Sequence, residues 1–82
     1  MIQVVIPSGL RALTGGALRM EVAARDVRGV VNVLDARFPG FREGLGPSFA
    51  VAIDGEIVQD AWLEPVPAGS ELHFLPPLAG GA

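Results

Sequence analysis

The chain has 82 residues, 50% of them hydrophobic, with nine acidic side chains against six basic ones and a net charge of −3. That length holds one small domain, and the acidic balance excludes the basic footprint of a nucleic-acid binder. With no cysteine and one histidine, disulfides, iron–sulfur clusters, a cysteine nucleophile and thiolate or zinc metal centres are excluded as well.

Ile2 to Ile6 is a β-branched run stopped by Pro7, which reads as a strand. Ser8 to Gly16 is a loop ending in a Gly15-Gly16 turn. Ala17 to Ala23 follows, with Leu18, Met20 and Val22 alternating against Arg19 and Glu21, the period of a half-buried strand. The pair reads as a hairpin. Asp26 suits a helix N-cap, and Val27, Val30, Val31, Leu34 and Phe38 then make one helical stripe, with Arg28, Asn32, Asp35 and Arg37 on the other side. Gly29 inside this helix costs about 1 kcal/mol relative to alanine. Pro39-Gly40 ends it.

Phe41 to Pro47 reads as a connector. Phe49 to Ile53 is a third strand, Asp54-Gly55 a hairpin turn, and Glu56 to Val58 a short return. Ala61 to Ala68 is irregular, Gly69-Ser70 turns the chain, and Glu71 to Leu75 is the last strand before Pro76-Pro77. The order β-β-α-β-β-β over a single domain is the layout of an α+β protein of the β-grasp kind, a mixed sheet curled around one helix. The expected division is a domain over residues 1–75 and an extended tail over residues 76–82. The apolar runs last about five residues, far from the ~20 that span a bilayer, and no targeting segment is visible. The expected location is the cytoplasm, away from membranes.

No enzyme-like constellation is present. Gly15-Gly16 lacks the Lys-Ser/Thr that completes a phosphate loop. One histidine with Ser8, Ser48 and Ser70, all at turns, assembles no acid–base–nucleophile set. The tail is more informative. Pro76 and Pro77 favour an extended path, so Pro76 to Gly81 would reach about 18 Å at ~3.1 Å per residue. Gly80 and Gly81 have no Cβ, and a narrow channel of another protein can close around them. This shape suits delivery of a terminal carboxylate into a second protein's active site.

The end Phe74-Leu75-Pro76-Pro77-Leu78-Ala79-Gly80-Gly81, with the turn Ala68-Gly69-Ser70-Glu71-Leu72, resembles the MoaD/ThiS family of ubiquitin-like sulfur carriers over almost the whole chain. The first loop, Ile6-Pro7-Ser8-Gly9-Leu10-Arg11-Ala12-Leu13-Thr14-Gly15-Gly16, is closer to the CysO-type carriers of cysteine biosynthesis than to molybdopterin synthase subunits.

The resemblance implies a carrier and not an enzyme. An E1-like enzyme uses ATP to adenylate the terminal glycine, here Gly81, which becomes a thiocarboxylate. A sulfur-accepting biosynthetic enzyme then takes the sulfur for cysteine, molybdopterin or a related product. Pro76, Pro77, Leu78, Ala79 and Gly80 would thread the tail into the partner. No cofactor is bound by the carrier itself. The chain departs from the family's mature end at Ala82, which a trimming peptidase would have to remove before activation. The alternatives that share this tail chemistry are a ubiquitin-like modifier forming isopeptide bonds and the small subunit of molybdopterin synthase. The absence of lysine is explained by codon bias toward Arg, Ala, Gly and Pro more simply than by protection from self-conjugation.

Strand alternation places Ile2, Val4, Ile6, Phe49, Val51, Ile53, Leu72 and Phe74 toward the helix. The opposite face would carry Gln3, Val5, Ala50, Ala52, His73 and Leu75, nearly without charge. Of these, Val5, Ala50, Ala52, His73 and Leu75 form the expected docking patch. His73 is expected to be exposed and without a catalytic role, having no orienting partner. Trp62 is expected to pack against the Pro65–Pro67 loop, with anchoring of a partner as the alternative.

Overall fold

The computed structural model describes residues 1–75. The strands are β1 (Ile2–Val5), β2 (Arg19–Val22), β3 (Ala50–Ile53), β4 (Glu56–Val58) and β5 (Glu71–Leu75), with helices α1 (Val27–Arg37) and α2 (Phe41–Leu45). They form one mixed sheet in the order β2-β1-β5-β3-β4. The first and last strands lie side by side and parallel, while every other pair is antiparallel. With α1 packed on one face, this is the β-grasp, ubiquitin-like fold.

The inner face of the sheet follows from strict alternation. Ile2, Val4, Ile6, Val51 and Leu72 are fully buried, and Phe74 nearly so. The α1 residues Val27, Val30, Val31 and Leu34 close over them, each without solvent exposure. Pro7 ends β1 because it has no N–H to continue the ladder.

The start of α1 is held by two parts of the chain. Asp26 Oδ1 accepts the Gly29 N–H at 2.7 Å, as an N-cap should. The Val27 and Arg28 amides donate to the carbonyls of Glu64 (3.0 Å) and Trp62 (2.9 Å), so a remote loop satisfies helix donors that have no partner within the helix. Gly29 has a reason to be there: a Cβ would stand 3.1 Å from Asp26 Oδ1 and 3.2 Å from the Ala24 Cβ. The propensity cost makes room for the cap.

Four expectations need correction. Phe38 packs against the core with the stripe, but it is not part of the helix: it is the half-buried C-cap at φ −132°, ψ 84°, because Pro39 disfavours the helical region for the residue before it. β1 and β2 do pair, yet thirteen residues including a 3-10 turn at Ser8–Leu10 separate them, so this is no tight hairpin. Leu18 precedes β2 and is 56% exposed, off the inner face. The supposed connector contains α2, whose Phe41 is fully buried with its ring set edgewise to Phe74 at 5.9 Å. Phe49 and Ile53 do pack against the core but are only half-buried.

Candidate functional site

The tail residues Pro76, Pro77, Leu78, Ala79, Gly80, Gly81 and Ala82 lie outside the described residues. Their point of attachment does not. Leu75 ends β5, the central strand, which is paired with β1 on one side and β3 on the other. A strand bonded along both edges cannot shift register without breaking two ladders. Whatever follows Leu75 therefore leaves from a fixed position.

Strand register builds the outer face. Arg19 lies opposite Val5, Val5 opposite His73, His73 opposite Ala52, and Ala52 opposite Ile57. One row thus crosses all five strands. Leu75 and Ala50 are paired on the same face, next to the end of β5. Val5, Ala52, His73 and Leu75 are half-buried, and Ile57 is 57% exposed. The five expected patch residues do share this face, but Ala50 is 3% exposed and offers a partner almost no surface. Ile57, which alternation along β4 would have added, is the most exposed apolar side chain there.

The expectation of a nearly charge-free face is overturned. Register also brings Arg19, Glu21 and Glu71 onto it. Arg19 Nη1 lies 2.6 Å from Glu71 Oε2, and His73 Nε2 lies 3.2 Å from Glu71 Oε1. His73 is half-buried and has this carboxylate as a partner, where none was expected. The Arg19 hydrogen bond, followed by that of His73, holds the Glu71 carboxyl below its ordinary pKa, since both stabilise the charged form. The charges lie on β2 and at the start of β5. The apolar residues run from Val5 through Ala52 to Ile57, and Leu75 adds to them at the end of β5.

A groove of about 340 Å³ opens at the root of the tail, between the Ser8–Leu10 turn and α2. Pro7, Leu10, Leu45, Phe74 and Leu75 line it, with Ser8, Gly9 and Gly44, and no lining residue is charged. A Cβ at position 44 would meet the Cδ2 methyl of Leu10, which would have to turn aside. Trp62 is half-buried against the core, and the Arg42 guanidinium of α2 sits 4.8 Å over its ring, a partner that sequence reasoning did not name. Among the described residues no three His, Asp or Glu side chains gather as a metal site, and no helix is long and apolar enough to cross a membrane.

With this geometry in view, comparison with known proteins adds the following. The model of the ThiS family matches residues 4–81. A chain of the Amycolatopsis orientalis BexX/CysO complex is 27% identical, with a TM-score of 0.83 over 99% of this chain and 100% of that one. CysO of Mycobacterium tuberculosis is 20% identical, with a TM-score of 0.82 over 95% of this chain and 100% of that one. Small archaeal modifier protein 1 of Methanosarcina acetivorans is 19% identical, with a TM-score of 0.76 over 98% and 95%. The last two likenesses establish the fold. A search of curated protein sequences gave no match.

Proposed function

The chain belongs to the ThiS family, whose model covers it from residue 4 to Gly81, and on that premise we propose that it is a ubiquitin-like sulfur carrier, a cosubstrate of enzymes and not a catalyst. The observation that carries the reading is the match itself, which ends on the glycine that the tail motif marks as reactive. The fixed position of Leu75 supports it, because a tail used as a substrate must start from a defined point.

In this reading Ala82 is first removed by hydrolysis, which frees the Gly81 carboxylate. An E1-like partner joins that carboxylate to the AMP portion of ATP, and pyrophosphate leaves. A sulfur nucleophile then displaces AMP, giving a C-terminal thiocarboxylate. The missing cysteine is no obstacle, since the sulfur rides on the main-chain carbonyl. Positioning and stabilisation of charge in the transition state come from the activating enzyme. The row from Val5 to Ile57, with Leu75, is the surface on which that enzyme would dock. Cysteine biosynthesis is the favoured destination of the sulfur, given the first loop and the 27% identity to a chain of the BexX/CysO complex.

Mass spectrometry of the C-terminus, after expression beside the activating enzyme of the native host, tests the proposal. The expected product has lost Ala82 and exchanged one terminal oxygen for sulfur. A bare carboxylate under all conditions would count against a carrier. A thiocarboxylate on a chain still ending in Ala82 would refute the trimming step. Isopeptide-linked adducts on cell proteins would identify a modifier instead, and stable co-purification with a large catalytic subunit would identify a synthase subunit.

A further inference from the structure

The groove at the tail root has walls that are already in place. The Leu10 amide donates to the Pro7 carbonyl at 2.9 Å, which closes the Ser8–Leu10 turn, and the Leu10 side chain is part of the core. Opposite stands α2, anchored by the fully buried Phe41, with Gly44 and Leu45 lining the groove. A volume of about 340 Å³ is at the lower end of small-molecule pockets, roughly 300–1,000 Å³. Apolar walls without a charge among them suit one or two aliphatic side chains and disfavour a carboxylate.

The chain's own continuation starts at this groove. β1 and β5 are parallel, with Val5 opposite His73, so both strands run out in the same direction. Two residues further on, Pro7 and Leu75 both line the groove. Seven residues follow Leu75, and among those beyond Pro77 only Leu78 has a side chain larger than a methyl group. Either extended backbone would set Leu78 on the groove's side. A period of two puts it with Phe74, and the three-fold period of polyproline puts it with Leu75. Both of those residues line the groove. A separation of three residues also limits its distance from Leu75 to about 11 Å.

We propose that the groove between the Ser8–Leu10 turn and α2 is a seat for the Leu78 side chain of the same chain. Burial of the leucine in a preformed apolar cleft drives the seating. The short tether gives Leu78 an effective concentration in the millimolar range, which any free competitor must match. With Leu78 seated, the free end shortens to Ala79–Ala82, and Gly81 stays within three residues of the groove. A partner that takes the tail in extended form must first draw Leu78 out, so seating and threading compete. That consequence rests on the proposed function; the seating itself does not.

Nuclear magnetic resonance of the full chain, isotope-labelled at its methyl groups, tests the proposal. Overhauser cross-peaks are expected from the Leu78 methyls to the methyls of Leu10 and Leu45 and to the Phe74 ring. Leu78→Asp puts a charge where the groove has no partner for it, and should shift the Leu10 and Leu45 methyl signals. Unmoved Val4 and Leu72 signals in that variant confirm that it folds. A capped Pro-Pro-Leu-Ala peptide should then move the Leu10 and Leu45 signals of the variant back toward their wild-type positions. Its midpoint should be weaker by about three-fold or more for the wild-type chain, where the tethered Leu78 competes. The proposal is overturned by absence of the Leu78 cross-peaks, or by Leu10 and Leu45 signals that are the same in both chains. It is equally overturned if the peptide moves neither signal, or binds both chains equally, which would mean a groove open to a partner's side chain. No activating enzyme is used, so failure here leaves the carrier reading standing, and failure to form a thiocarboxylate leaves the seating untouched.

Discussion

The two faces of the sheet carry the same strands and differ in kind. The inner face is entirely apolar, and Ile2, Val4, Val51 and Leu72 meet α1 without solvent. The outer face mixes an apolar row with the Arg19–Glu71–His73 cluster. Burial makes the inner face an all-or-none packing problem, in which each methylene counts. Exposure makes the outer face tolerant, so its residues are free to serve a partner. Stability should therefore concentrate on one face and docking on the other.

Leu72→Ala is the most severe test of this division. It should cost about 2–5 kcal/mol through lost burial and an unfilled cavity. Thermal unfolding followed by circular dichroism should show a drop of roughly 8 °C or more. A small effect would mean that the inner face is loosely packed. Gly44→Ala probes how tightly α2 closes on the first loop. Overpacking against Leu10 should cost about 1–3 kcal/mol, against a gain in helix propensity of about 1 kcal/mol, so a urea melt should show a net loss of up to about 2 kcal/mol if Leu10 is held in place and almost none if it turns aside. Asp26→Ala removes the cap of the helix that covers the inner face and should cost about 1 kcal/mol in the same melt.

On the outer face Ile57→Asp should change stability by no more than about 0.5 kcal/mol while slowing thiocarboxylate formation with the activating enzyme. Loss of stability without loss of loading would reverse the division between faces. The smallest effect concerns Glu71, whose carboxyl is held low by Arg19 and then His73. A depressed acid contributes stability that is present above its unfolded pKa and lost as pH falls through the lower folded value. The contribution should fade only on the acid side of the ordinary glutamate range. Arg19→Gln should move the Glu71 midpoint upward in a carboxyl NMR titration, and an unmoved midpoint would show that the ion pair is not formed in solution.

Most of the elements were legible because each had its own local signal. A β-branched run before Pro7 marked β1, alternation marked β2, turn residues bounded β3, β4 and β5, and the Val27–Leu34 stripe with Asp26 marked α1. α2 was not legible, since five residues containing a glycine show no helical period. On the candidate site, the shared face of Val5, Ala52, His73 and Leu75 followed from the period of two. Glu71 lies two residues before His73, so the same period could have placed it there. Pairing of Glu71 with Arg19, fifty-two positions away, has no sequence signal. Nor does the meeting of Arg42 with Trp62.

The sequence by itself determined the order of elements, the apolar inner face and the tail motif that carries the family resemblance. These depend on neighbours within a few residues, where backbone preference and side-chain period act directly. The tertiary structure alone decided that β5 runs between β1 and β3, that Glu71 is held by Arg19 and His73, and that a remote loop completes the start of α1. Those outcomes depend on which distant segments bury their surfaces together, and burial is a property of the whole chain.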